Sequence, residues 1–281
     1  MPVVPVIDIT ALRDTTAEAA ALDACARAID AACRDVGFFC ITGHGISPHR
    51  LDNLDSLARE FFARPEDEKA AIAMAKGGTA WRGWFAEGTE LTAGRPDHKE
   101  GIYFGSELPG DDPRVVAGLP LHGRNQFPDR PEGLREAVLE WIESMTALGQ
   151  DVLRGMSIGL GLDADWIGEH LTADPTVLFR IFTYPAVVDD SGDWGVAEHT
   201  DYGLITVLAH DGTPGLQVRP RGTDEWLDVP GGPDVIVVNL GDMLEAMTGG
   251  RYRSTAHRVR RPTPEQVRAG GRLSFPFFLD P

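Results

Sequence analysis

Val177-Leu178-Phe179-Arg180-Ile181-Phe182-Thr183 opens the part of the chain that decides its fold. From here onward, short runs rich in Val, Ile, Leu and Phe alternate with Gly, Pro and Asp turns. The runs fall at 177–183, 204–209, 215–218, 226–229, 235–240, 256–260 and 272–279. Many short strands with regular turn signals predict a sandwich or barrel. A jelly roll suits them, because its mouth can hold a metal and a small ligand.

The preceding half reads differently. Residues 3–9 form a short apolar strand. Leu22, Cys25, Ile29, Cys33 and Val36 recur at three- and four-residue steps, the stripe of an amphipathic helix that Gly37 stops. Phe38 to Ile41 is a second strand. Ser47-Pro48 reads as a helix cap and first position, with Leu51, Leu54, Leu57 and Phe61 as its buried stripe. Residues 75–130 hold many Gly and Pro and read as loops with short strands, one at 101–104. A long helix follows over 132–160, with Leu134, Val138, Trp141, Met145, Leu148, Val152 and Met156 on one face. Asp163 is placed to cap a short helix through Trp166 and His170. The expected fold class is mixed α and β with a mainly β core: a distorted double-stranded β-helix, or jelly roll, with flanking helices. Its parts are 1–130, a helical support over 131–176 and the core over 177–281, as one structural unit.

The 281 residues carry 26 Lys and Arg against 43 Asp and Glu, a formal net charge of -17. So acidic a surface repels phosphate backbones, which argues against nucleic acid and anionic membranes as partners. No apolar run approaches the roughly 20 residues of a membrane span. No signal-peptide pattern opens the chain. Three cysteines, all N-terminal, make neither a disulfide framework nor a zinc spacing, so a cytoplasmic location is expected. Oligomeric state is not legible.

His199-Thr200-Asp201 carries the chemistry. Side chains two apart on an extended segment point the same way, so His199 and Asp201 can grip one ion. With His257 they give two imidazoles and a carboxylate, the facial set that holds non-haem Fe(II) and leaves positions open. Arg272 and Ser274 are again two apart. The planar guanidinium can take a carboxylate at two points and the hydroxyl adds a donor, a seat for the distal carboxylate of a keto acid. Leu273, Phe275, Phe277 and Phe278 mark their strand as buried, and a buried Arg needs an anionic partner.

At these residues the chain resembles the isopenicillin N synthase-like branch of the Fe(II)/2-oxoglutarate-dependent dioxygenases. The resemblance takes in Pro5-Val6-Ile7-Asp8, Gly37-Phe38-Phe39, His44-Gly45-Ile46 and Tyr184-Pro185. It continues through His199 to Thr206, Gly215 to Val218, Asn239 to Leu244, Gly250 to Ser254, His257-Arg258-Val259 and Arg272-Leu273-Ser274. It implies iron on His199, Asp201 and His257, 2-oxoglutarate on Arg272 and Ser274 with Tyr184 lining that pocket, and O2 as oxidant. Asn239 and Asp242 are expected to shape a turn. Phe182 stands where many relatives carry an asparagine. Glu198 is either solvated or orients His199. The chain ends at Phe277-Phe278-Leu279-Asp280-Pro281, where relatives usually continue with a segment that helps cover the site; an open mouth, a bulky substrate or a truncated chain is expected.

The implied enzyme is an oxygenase that hydroxylates or desaturates an unactivated C–H bond of a small-molecule metabolite, releasing succinate and CO2. Secondary metabolism is the family's common setting. Substrate contacts are expected from Trp81, Arg82, Trp84, Tyr103 and Phe104, with Arg82 meeting a carboxylate. Two alternatives stay open: an iron oxidase that uses no keto acid, and a non-catalytic metal or small-molecule sensor.

Overall fold

The Thr176–Tyr184 strand is covered on both faces, which is why its sequence is a nearly unbroken apolar run. In this computed structural model, which describes residues 3–185, 194–232, 234–268 and 270–281, Val177, Phe179 and Ile181 join a core shared with the helices. Phe182 and Tyr184 join a second core between two sheets. The neighbouring Arg272–Asp280 strand does the same: Leu273, Phe275, Phe277 and Leu279 pack outward, leaving Arg272, Ser274, Pro276 and Phe278 toward the interior. This two-residue period is the pleat of a strand.

The larger sheet runs, edge to edge, through Gly83–Phe85, Glu100–Gly105, Thr176–Tyr184, Arg272–Asp280, Ile205–His210, Ile236–Leu240, Phe38–Thr42 and Val6–Asp8. The smaller runs through Leu227–Asp228, Leu216–Val218, His257–Val259 and Val196–His199. All these pairings are antiparallel except that of Val6–Asp8 with Phe38–Thr42. The architecture is the jelly roll expected from the sequence. The strand runs were legible because the turns bounding them are rich in Gly, Pro and Asp. Val196–His199 was not, because it is a short edge strand with an outward charge at Glu198.

The helices cover the outer face of the larger sheet. Leu134–Leu160 buries Leu134, Val138, Trp141, Met145, Leu148, Val152 and Met156 against Ala19–Asp35, Pro48–Phe62 and the sheet. Each large apolar side chain so buried contributes about 1.5–3 kcal/mol. Ala19–Asp35 ends as expected at Gly37, whose φ of 72° is open to a residue without Cβ; a Cβ there would lie 2.1 Å from the Arg253 carbonyl oxygen. Two caps differ from expectation. Ser47 precedes Pro48 but makes no capping hydrogen bond. The short helix begins at Trp166 after Asp165, and Asp163 contributes its backbone carbonyl, not its side chain. No helix among the described residues is long and apolar enough to cross a membrane. The three cysteines are buried free thiols.

Candidate active site

His199 closes one strand of the smaller sheet and His257 opens its neighbour, and the two are paired across the ladder. Their rings lie 4.2 Å apart, centre to centre. Asp201 comes from the turn after His199. Its Oδ1 is 3.7 Å from His199 Nε2 and 3.6 Å from His257 Nε2. One donor atom from each residue falls within 4.8 Å of the others, a group able to hold a metal ion.

The local backbone aims these donors. His199 Nδ1 lies 2.8 Å from the Ala197 carbonyl and His257 Nδ1 lies 3.1 Å from the Thr255 carbonyl. A carbonyl can only accept, so each Nδ1 carries the proton and each Nε2 presents its lone pair. Asp201 is fixed from the other side. Its Oδ2 accepts from Asn239 Nδ2 at 2.7 Å and from Thr206 Oγ1 at 2.5 Å, which leaves Oδ1 facing the imidazoles. Burial pulls the His199 imidazole down to about 4, and His257 reinforces it. Burial works to raise the Asp201 carboxyl. The two imidazoles, Thr206 and Asn239 outweigh it and hold the carboxyl below its ordinary range.

Asn239 therefore orients a carboxylate and does not shape a turn, as its sequence neighbours had implied. Asp242 does hold the turn: its N–H donates to the Asp201 carbonyl at 2.7 Å and its Oδ2 accepts from Thr200 at 3.0 Å. Glu198 points outward and pairs with Arg219, so it does not orient His199. Thr206 had stood in the sequence only as part of a motif. Its signal was parity: it and Asn239 are direct partners on adjacent strands.

The inner face of the Arg272–Asp280 strand carries the second group. Arg272 and Ser274 are each 1% exposed, although one is a cation. Arg272 pairs with Tyr184 across the ladder and lies over its ring at 4.6 Å, and the Tyr184 hydroxyl is 3.1 Å from Ser274 Oγ. Arg272 Nε and Nη1 are buried and have no hydrogen-bond partner among the described residues. Unpaired buried guanidinium nitrogens cost free energy, and an incoming carboxylate on one edge of the guanidinium would relieve part of that cost. The residues present fit Fe(II) at one group and a keto acid at the other.

Both groups open into one cavity of about 1070 Å³. Tyr103, Trp81 and Trp84, expected as substrate contacts, line it, with Trp81 exposed at the rim and the Trp84 indole N–H committed to Glu100 at 2.6 Å. Arg82 and Phe104 are corrections. Phe104 follows Tyr103 on the strand, so it faces outward and stacks on Phe127 and Phe179. Arg82 is buried away from the cavity and donates to the Leu121 carbonyl at 2.7 Å. The cationic side chains that do line this part of the cavity are Arg180 and Lys99, the latter paired with Glu90 and Asp97.

Comparison with known proteins agrees with this arrangement. Residues 4–130 match the family described as non-haem dioxygenase in morphine synthesis N-terminal, and residues 174–281 match the 2OG-Fe(II) oxygenase superfamily. The chain is 35% identical to the homoarginine-6-hydroxylase 2-ODD-C23.1 of Arabidopsis thaliana, over 93% of this chain and 81% of that protein. It is 32% identical to the 1-aminocyclopropane-1-carboxylate oxidase of Dictyostelium discoideum, over 99% of this chain and 81% of that protein. A full-length Neurospora crassa protein, solved in complex with alpha-KG and thymine, superposes with a TM-score of 0.82 at 26% identity, covering 99% of this chain and 86% of that one. By these matches the chain belongs to the 2OG-Fe(II) oxygenase superfamily and is an oxidoreductase that uses Fe(II), 2-oxoglutarate and O2.

Proposed function

We propose that this oxygenase hydroxylates or desaturates a C–H bond of a small molecule, with His199, Asp201 and His257 as the metal ligands and Arg272, Ser274 and Tyr184 as the seat of 2-oxoglutarate. Bound iron with 2-oxoglutarate supplies the oxidising power, and the keto acid leaves as succinate and CO2. The chain's own part is placement. Nδ1–H bonds to Ala197 and Thr255 fix both imidazoles. Asn239 and Thr206 fix the carboxylate. With three protein ligands, a bound Fe(II) would keep positions free for the keto acid and O2. Arg272 meets the distal carboxylate of the keto acid, and the Tyr184–Ser274 pair completes that seat. The aromatic cavity wall holds the second substrate and excludes water.

The observation that carries the reading is the unpartnered Arg272 guanidinium in the same cavity as the three donors. It favours a keto-acid enzyme over an oxidase that uses none. The small molecules named with the relatives, homoarginine and thymine, support a small organic substrate.

The test is anaerobic titration of iron-loaded protein with 2-oxoglutarate, following the visible charge-transfer band of the chelate. The band is expected in the wild type, absent in His199→Ala and much weaker in Arg272→Ala. No band from fully iron-loaded wild type would remove 2-oxoglutarate from this site and leave the oxidase or sensor readings.

A further inference from the structure

Arg180 is the second cation on the cavity's inner face that lacks a counter-ion. It shares strand parity with Phe182 and Tyr184, and all three line the cavity. Its guanidinium is clamped between two rings, 4.3 Å from the centre of Tyr103 and 4.7 Å from that of Phe278. Its Nε is buried with no hydrogen-bond partner, and among the described residues it forms no ion pair. The carboxylates nearby are committed elsewhere. Glu90 and Asp97 engage Lys99 at 3.1 and 2.8 Å, and Glu90 also accepts from the Tyr103 hydroxyl. Asp280 accepts from the Leu204 N–H at 2.7 Å and feels the Arg180 charge without forming an ion pair with it. Arg82 lies close enough to add positive potential, and Glu107 offsets part of it.

We infer that Arg180 receives an anionic group of the organic substrate and that this group is a carboxylate. The inference deepens the oxygenase reading and rests on it, because it takes the cavity beside the metal donors as the substrate's place. With two rings packed against the guanidinium, its edge is the part that can take a ligand, and a planar carboxylate matches that edge at two points. A doubly charged phosphate fits worse, since Glu90, Asp97 and Asp280 all line the same cavity and would repel the extra charge. Nor is Arg180 a second contact for the co-substrate's seat. It lies four residues along the strand from Tyr184, about 13 Å at ~3.3 Å per residue. The metal donors line the same cavity, so a substrate held at Arg180 by its charged end can turn an uncharged part toward them.

The probes are hexanoate and 3-phenylpropanoate, each beside its primary amide. They are titrated calorimetrically into anaerobic, iron-loaded protein with and without saturating 2-oxoglutarate. With 2-oxoglutarate bound, at least one acid is expected to bind roughly tenfold or more tighter than its amide, as for a hydrogen-bonded charge. Arg180→Gln abolishes that preference and Arg180→Lys keeps part of it, while melting curves of both variants report folding. Acid and amide binding alike, no binding by either acid at millimolar concentration, or a preference that persists in Arg180→Gln would overturn the inference. The dependence on Arg180 is decisive, because an empty Arg272 seat also attracts carboxylates. If 2-oxoglutarate fails to bind but the acids still discriminate through Arg180, the co-substrate assignment fails and the Arg180 seat stands. If 2-oxoglutarate binds and the acids do not discriminate, the reverse holds.

Discussion

Asn239 Nδ2 lies 2.7 Å from Asp201 Oδ2, reaching across from the Ile236–Leu240 strand to hold the one carboxylate of the donor group. Without it, Asp201 keeps only Thr206 on that oxygen and can rotate away from the imidazoles. Asn239→Ala is expected to weaken Fe(II) binding about 10–100-fold, as outer partners of metal ligands generally do. Competition against a coloured chelator measures this directly. Unchanged affinity in a variant that melts normally would show that Thr206 suffices.

Tyr184 offers both a ring under Arg272 and a hydroxyl against Ser274. Tyr184→Phe separates the two. The ring contact is kept, and the lost hydrogen bond is worth about 1 kcal/mol. The 2-oxoglutarate dissociation constant is therefore expected to rise roughly fivefold, with the chelate band keeping its position. A rise of several hundredfold would instead mean that the hydroxyl is a principal contact.

Gly241 backs the Asp201 turn. A Cβ there would lie 2.1 Å from the Gly203 carbonyl oxygen, and the Gly241 N–H donates to the Leu204 carbonyl at 2.9 Å. The obstructing atom is backbone, so it cannot swing aside. Gly241→Ala is expected to cost about 1–3 kcal/mol through overpacking and to weaken metal binding by displacing Asp201. Thermal melting and iron titration of the same sample check both effects. A variant that melts like the wild type would show that the turn yields.

His210 is buried beside Arg272. Burial, reinforced by that guanidinium, pulls its imidazole from 6.5 down to about 4. The unfolded chain therefore takes up this proton before the folded one does. The stability that neutral His210 contributes is complete above about pH 6.5 and drains away as pH falls toward 4. In metal-free protein, His210→Asn keeps an acceptor for the Gly212 N–H that Nδ1 now takes. Its melting temperature is expected to fall less steeply than the wild type's across that window. Parallel curves would show that His210 does not titrate with folding.

The strands of the roll and the residues of the two polar groups were legible because apolar runs, turn residues and donor types are written locally. His199 and Asp201 stand two apart in sequence, and so do Arg272 and Ser274. What escaped depends on which strands lie side by side. Asn239 read as a turn residue because Gly241 and Asp242 follow close behind it, and only the pairing of its strand with that of Thr206 brings it to Asp201. Arg82 was the expected carboxylate contact for its nearness to Trp81 and Trp84, yet its side chain points away. Arg180 hid inside an apolar run. Counting by twos back from Tyr184 would have put it on the inner face.

The alternation along the Thr176–Tyr184 strand separates two histories that one segment of chain can have. Val177, Phe179 and Ile181 answer to the helices behind them, and changes there unsettle the whole molecule. Arg180 and Phe182 face the cavity and answer to what enters the roll as well as to the rings around them. A cavity-facing position such as Arg180 can therefore be rewritten for a new guest while the letters on either side of it stay fixed, and one scaffold can change clientele without disturbing its foundations.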